Sequence, residues 1–310
     1  MSDLGPAVPA NWYLLGRARD LREGAVAAHA IGGREVVVWR GAEGGRPAAF
    51  AAHCAHMGCH LARGEVVGDR LRCGLHHRMI DADGAFGSGE RGLRQPTLEL
   101  SEYCGGLWVR VGDASDVPPL STLGLEGFAD CFAGAHQFPL SWQALVANGF
   151  DCEHLASVHE RRLLSPPTLE PMGATGMVLR YHTHPTGRGL ADRITARLGP
   201  DGVHGEITCR NGSMMLVRSR LGARRSFILL SFVPSATGGT CVRGIVGIER
   251  ASGIWTNLQA RLAARLFKAF LYKDLAVLEG LEWHEPNRDD TLGDRYTRQL
   301  CNFFRGLPHG

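Results

Sequence analysis

Two short boxes constrain this 310-residue chain more than any other feature: Cys54-Ala-His56 and Cys73-Gly-Leu-His76, separated by the sixteen residues 57–72. Each box offers one thiolate and one imidazole, and each lies beside a glycine, Gly58 or Gly74. Such mixed pairs are useful only if a fold brings two loops to one point. The remaining cysteines do not suggest a disulfide framework, because nine is an odd number and they scatter from Cys54 to Cys301. Thiol or metal chemistry is therefore the first expectation. Composition excludes other classes: charged residues are 21%, the net charge is +3, and no run of five or six like charges exists to bind nucleic acid. Hydrophobic residues make up 44%, which suits a folded chain, and the length suits two domains of roughly 150 residues. No stretch offers 18 consecutive apolar residues and Met1 to Trp12 carries no signal-like pattern, so no membrane span and a cytoplasmic location are expected.

Short apolar runs broken by glycine fill the first third: Glu35-Val-Val-Val-Trp39, Ala48 to Ala52, Leu71 to Cys73 and Gly106 to Val111. They predict a small all-β unit over 11–113. Residues 114–139 carry Pro118-Pro119, several glycines and little periodicity, and read as a linker. A second unit is expected over 140–305. It opens with helical character from Leu140 to His159. Five strands follow, at Met177 to His184, Val203 to Cys209, Ser213 to Arg220, Ser226 to Val233 and Thr240 to Ile248, and predict an antiparallel sheet. A long helix closes the unit. Its residues Ile254, Leu258, Leu262, Leu266 and Phe270 recur every four positions, read as one core-packing face, with Asp274 next on the stripe. Arg261, Arg265 and Lys268 on the other side allow a membrane-surface reading, but the stripe is needed to cover the sheet.

Two irons bridged by sulfide, one iron held by both cysteines and the other by both histidines, require just such boxes from two loops. Zinc also accepts two cysteines and two histidines, but zinc fingers usually group Cys with Cys and His with His. The mixed order favours the cluster. The stretch Cys54 to Leu61 followed by Cys73 to Ile80, in a β unit entered by Asn11-Trp-Tyr13, resembles the Rieske domain of the Rieske non-heme iron oxygenases. The resemblance implies a [2Fe-2S] cluster on Cys54, His56, Cys73 and His76. The chain departs from the family pattern at His77-Arg78, where Gly-Trp is common, and at Leu75, where a disulfide partner for Cys59 would stand in some members. His77 is read as a solvated surface residue and Cys59 as a buried free thiol.

Asn148-Gly-Phe-Asp151-Cys-Glu-His154-Leu-Ala-Ser-Val-His159 forms Asp-x2-His-x4-His. Two histidines and a carboxylate are the ligand set of non-heme Fe(II) oxygenases. Read alone, His154 and His159 could equally be ordinary helix histidines. Five residues of ideal helix rotate by about 500°, leaving the imidazoles about 140° apart, so a π-bulge or break is expected near Ala156 and Ser157. The resemblance implies that His154 and His159 bind iron and that Asp151 bridges to the Rieske cluster of a neighbouring subunit. Asp274 is the chosen third ligand, because it ends the apolar stripe and because Tyr272-Lys-Asp274-Leu-Ala-Val-Leu-Glu279 resembles the family's segment, with Lys273 replacing an acidic neighbour. Glu279, Glu282, Asp289 and Asp290 compete with it. His182 and His184 share a strand face and are read as a pocket wall or solvent-facing pair.

The resemblance further implies an α+β chain whose second domain is a helix-grip (START-like) fold, and a homotrimer. It implies an oxygenase that uses O2 at a mononuclear Fe(II), in a branch resembling ketosteroid hydroxylases by the segment Trp283 to Pro286. No convincing dinucleotide fingerprint occurs, so NAD(P)H is expected to act only through a separate flavin reductase, with or without a ferredoxin. The substrate is expected to be a hydrophobic, cyclic or polycyclic small molecule, with Met214, Leu216, Ile228, Leu230 and Phe232 as candidate pocket residues. The alternative is a Rieske-type electron carrier whose second domain is a non-catalytic lipid- or partner-binding module.

Overall fold

Apolar alternation interrupted by glycine turns builds the first unit. In the computed structural model, which describes residues 8–87, 92–113, 115–187, 189–250 and 256–308, its strands are β1 (Asn11–Arg17), β2 (Val26–Ile31), β3 (Arg34–Arg40), β4 (Pro47–Ala51), β5 (Glu65–Val67), β6 (Arg70–Arg72), β7 (Met79–Asp81), β8 (Thr97–Leu98), β9 (Leu100–Tyr103) and β10 (Gly106–Val111). They form three antiparallel sheets, ordered β1-β10-β9, β2-β3-β4-β8 and β5-β6-β7. The β5-β6-β7 ribbon and the end of β4 carry the two Cys-His loops, whose bases pack on Val37, Trp39, Phe50, Leu61, Leu71 and Ile80.

The second unit is an eight-stranded antiparallel sheet. Its strands are β11 (Phe128–Phe138), β12 (Arg161–Leu163), β13 (Thr168–Pro171), β14 (Gly176–Pro185), β15 (Val203–Arg210), β16 (Met214–Leu221), β17 (Arg224–Pro234) and β18 (Thr240–Glu249). Their order is β11-β18-β17-β16-β15-β14-β12, with β13 also paired to β14. The five strands read from the sequence are β14 to β18. Residues 114–139 are not simply a linker, since β11 pairs along its whole length with β18, from Phe128 opposite Glu249 to Phe138 opposite Thr240. Its alanines and glycine, with no β-branched residue, hide the strand from propensity, and a bulge between Phe132 and Gly134 breaks its alternation.

Helices α1 (Trp142–Phe150), α2 (Cys152–Ser157), α3 (Leu190–Leu198), α4 (Thr256–Leu278) and α5 (Leu292–Arg305) complete the α+β chain. One sheet face, with Leu179, Ile207, Met215, Leu230 and Phe232, packs on α1, α4 and α5. The opposite face turns Met214, Leu216, Phe227 and Leu229 onto Trp12, Leu14 and Trp108 of the first unit. The candidate pocket residues are thereby split: Met214 and Leu216 belong to the junction between units, and Ile228, Leu230 and Phe232 to the helix side.

The stripe read on α4 needs correcting. Leu262 is 54% exposed, while Ala260, Ala264, Phe267 and Leu278 are buried. A step of four residues turns a helix by about 400°, so a strict four-residue stripe drifts by about 40° each time and winds off the face. Spacings that mix three and four stay on it, and Asp274 lies on that face seven residues, about two turns, after Phe267. Ile254 and the side chains of Leu258, Leu266 and Phe270 lie outside the described residues.

Candidate metal centres

The two Cys-His loops are near copies in backbone geometry. The carbonyl of Cys54 accepts from the N–H of Gly58 at 2.8 Å, and the N–H of Cys54 donates to the carbonyl of Cys59 at 2.8 Å. In the second loop the carbonyl of Cys73 accepts from His77 at 3.0 Å, and its N–H donates to Arg78 at 2.9 Å. Gly58 and His77 occupy equivalent places and both have positive φ, 75° and 57°. The rings of His56 and His76 stand edge to face with centroids 4.9 Å apart. The thiols of Cys54 and Cys73 are buried and the imidazoles lie toward the surface, flanked by exposed Met57 and Leu75.

Electrostatics at these loops suit a metal cluster. Burial pushes the Cys54 thiol up, and the adjacent Cys73 adds to it against backbone hydrogen bonds from His56 and Met57. A buried thiol whose ionisation is opposed in this way becomes a thiolate readily once a cation sits beside it. Desolvation, Arg78 and His76 together lower the pKa of His56, which favours the neutral imidazole that ligation requires. Cys59 is free and half-buried, and its thiol is raised by desolvation and by Cys73 beside it. Sequence reasoning missed Gln95. This buried residue accepts from the N–H of Ala55 at 2.8 Å and donates to the carbonyls of Ala51 and His53 at 2.8 and 3.1 Å, so it holds the first loop in place. Only its position before a proline, forty residues from the loop, could have hinted at that.

The second centre arises where the helix breaks. Asp151 ends α1 with extended backbone (ψ 109°) and starts α2, its Oδ1 accepting from the N–H of Glu153 at 2.8 Å. Helix α2 stops at Ser157, so His159 lies in the turn beyond it, and Glu160 reverses the chain with φ 52°. A break, not a π-bulge, aims the two imidazoles. His154 Nε2 lies 2.7 Å and His159 Nε2 2.8 Å from the same Asp274 Oδ1, and the two nitrogens are 3.1 Å apart. Asn148 Nδ2 is 3.4 Å from His154 Nε2.

These three side chains are 9%, 2% and 13% exposed. Burial raises the Asp274 carboxyl, but its hydrogen bonds to His154 and His159 and their charge outweigh that and leave it below its ordinary value. If both imidazoles donate to the one Oδ1, their two nitrogens 3.1 Å apart cannot hydrogen-bond each other, whereas one divalent cation would take a lone pair from all three atoms. Among the described residues this is the one group of three or more such side chains within metal-binding reach. Glu279, Glu282, Asp289 and Asp290 are exposed and outside it. His182 and His184 are outside it too: His182 stacks on His204, and His184 Nδ1 bonds the carbonyl of Pro185 at 2.9 Å.

Residues 11–97 match the Rieske [2Fe-2S] domain family. Aminopyrrolnitrin oxygenase PrnD of Pseudomonas fluorescens is 29% identical over 177 residues, covering 51% of this chain and 47% of that protein. An oxygenase component of 3-ketosteroid-9-alpha-monooxygenase from Rhodococcus rhodochrous is 26% identical over 153 residues, covering 47% of this chain and 39% of that protein. The chain thus matches about half the length of these curated relatives or less. The crystal structure of dicamba monooxygenase bound to dicamba superposes over 95% of each chain with a TM-score of 0.70 at 15% identity, which establishes a shared fold.

Proposed function

We propose that this chain, a Rieske [2Fe-2S] protein of the non-heme iron oxygenase family, is the terminal oxygenase component of a system that oxidises a hydrophobic, cyclic small molecule with O2. One observation carries the reading: a Rieske domain and a buried His154-His159-Asp274 pocket occur in the same chain. Cys54, His56, Cys73 and His76 would hold the cluster, and His154, His159 and Asp274 the mononuclear Fe(II). When bound, the cluster supplies single electrons and the ferrous ion offers open positions to O2.

The chain's own residues do the rest. Gln95 fixes the first cluster loop, and Asn148 reaches the edge of His154. Asp274 keeps its carboxylate ionised in a buried setting, so it can offer an oxygen to a cation held with His154 and His159. Asp151 is half-buried at the start of α2, three residues from His154, where it can pass electrons from the cluster of a neighbouring protomer. That arrangement needs an oligomer, and the family resemblance makes it a homotrimer. The redox unit comprises residues 11–113 and the oxygen-activating unit residues 140–305, with β11 contributed from the stretch between them.

Electrons would come from NAD(P)H through a separate flavin reductase, with or without a ferredoxin. The helix-facing side of the sheet, with Ile228, Leu230 and Phe232, supplies apolar surface for the substrate. A relative named for a 3-ketosteroid and a structural neighbour that holds dicamba support a ring-bearing substrate. All nine thiols are free, which suits the cytoplasm, and no helix among the described residues is long and apolar enough to cross a membrane. Substrate-dependent O2 uptake by the holoprotein, with a surrogate flavin reductase and NADH, tests the proposal. Uptake that depends on a ring substrate and is abolished in His154→Ala supports it. Electron transfer through the cluster without O2 uptake for any of a panel of steroids and aromatic acids would instead favour a carrier.

A further inference from the structure

The outer face of the large sheet is covered over one half only. Met214, Leu216, Phe227 and Leu229 lie under the first unit. The rest of that face, across β14 to β17, floors an open groove of about 550 Å³ walled by Ser165, Pro166 and Thr168. Two cross-strand rows of side chains run through it. In one, Arg180 is opposite Glu206 and Glu206 is opposite Arg218, and the glutamate pairs with both arginines at 3.1 and 3.5 Å. That row is neutralised from within, as a structural row should be.

The next row is different. His182 is opposite His204, His204 is opposite Arg220, and Arg220 is opposite Arg225, with no acid among them. Like charges directly opposite on neighbouring strands destabilise a sheet. Arg225 at the end of the row is bound by Glu249, but Arg220 in the middle has no carboxylate partner among the described residues. The imidazoles of His182 and His204 are stacked 4.0 Å apart at 11°, with His182 Nε2 donating to the carbonyl of Asp201 at 2.6 Å. Desolvation and then the neighbouring His182 and Arg220 pull the His204 pKa below its ordinary value, against an opposing pull from Asp201.

We propose that this groove is a binding site, separate from both metal centres, for a small organic anion bearing two or more carboxylate or phosphate groups, held by Arg220 with His204 on one side and, on the other, Arg225, whose Nε and Nη2 bind Glu249 and whose Nη1 does not. Strands are spaced by roughly 4.8 Å, so the row presents donors over about 10 Å from His204 to Arg225, enough for two anionic groups of one molecule. The volume suits a small ligand rather than a protein segment.

Citrate and pyrophosphate, titrated calorimetrically into the full-length holoprotein at constant ionic strength with acetate as reference, test this. Saturable binding of citrate or pyrophosphate but not acetate is expected, together with a rise in Tm. Arg220→Gln should weaken that binding about tenfold or more, since charge-assisted hydrogen bonds are lost. Without anion the same variant should be more stable than the parent, because the repulsion in the row is relieved. Arg94→Gln removes an exposed arginine of the first unit and should bind as the parent does. Absence of saturable binding, equal affinity in Arg220→Gln, or equal loss in Arg94→Gln would each overturn the proposal.

Discussion

His77 holds a left-handed backbone at φ 57°, in the place where the pseudo-equivalent loop has Gly58. An L-residue there costs about 1 kcal/mol relative to glycine, so His77→Gly should stabilise the holoprotein by about that amount in chemical denaturation. Because His77 is exposed, no compensating contact should be lost. A second single-residue effect concerns His29, whose pKa is lowered to about 4 by burial and then by Arg243. The unfolded chain takes up this proton near pH 6.5 and the folded chain only near 4, so the stability is fully present above pH 6.5 and is lost as pH falls through 4. His29→Gln should flatten the pH dependence of Tm within that window while leaving it unchanged above pH 7. Residues with distinctive chemistry were legible in the sequence: the fold sets the rings of His56 and His76 side by side and brings His154, His159 and Asp274 within hydrogen-bond distance of one another. Gln95 was not, because its role depends on three backbone groups brought to it by the fold.

Secondary-structure elements were legible where one periodicity governs them. Strands β14 to β18 follow their apolar alternation to within two residues, whereas β11 has no β-branched residue and a bulge that breaks its alternation, and on α4 the four-residue stripe fails at Leu262, which is exposed. That stripe can be checked directly: Phe267→Ala should cost about 3–5 kcal/mol as a buried large-to-small change, and Leu262→Ser should fall within about 0.5 kcal/mol of the parent. Helix α2 shows how one side chain can hold two roles. Asp151 caps it, so Asp151→Ala should lose about 1 kcal/mol of stability along with any electron-transfer function. Asparagine caps a helix as well as aspartate does, so Asp151→Asn should keep the Tm and both metal centres. Stopped-flow reoxidation of its reduced cluster should nevertheless be slowed, and an unchanged rate would remove Asp151 from the electron path.

The two units share one chain-wide architecture. Asn11 Nδ2 donates to the carbonyl of Arg210 at 2.8 Å and to Ser213 Oγ at 3.1 Å, and the N–H of Leu14 donates to Ser231 Oγ at 3.0 Å. With Trp12 and Trp108 packed on the outer sheet face, these bonds fix the first unit to the back of the sheet, while His154 of α2, His159 and Asp274 of α4 meet, buried, among the helices. The order of the units was readable from motif order, but the packing of one on the other was not, because it depends on which face of β16 and β17 turns outward. Both metal centres must be present for an oxygenase, and their stoichiometry is measurable. Iron, zinc and acid-labile sulfide should be determined on the holoprotein and on Asp274→Ala. The parent should hold about three irons and two sulfides per chain, and the variant about two irons and two sulfides, with the cluster retained. Zinc without sulfide in the parent, or the same iron content in both proteins, would contradict a chain that couples a Rieske cluster to a separate mononuclear iron.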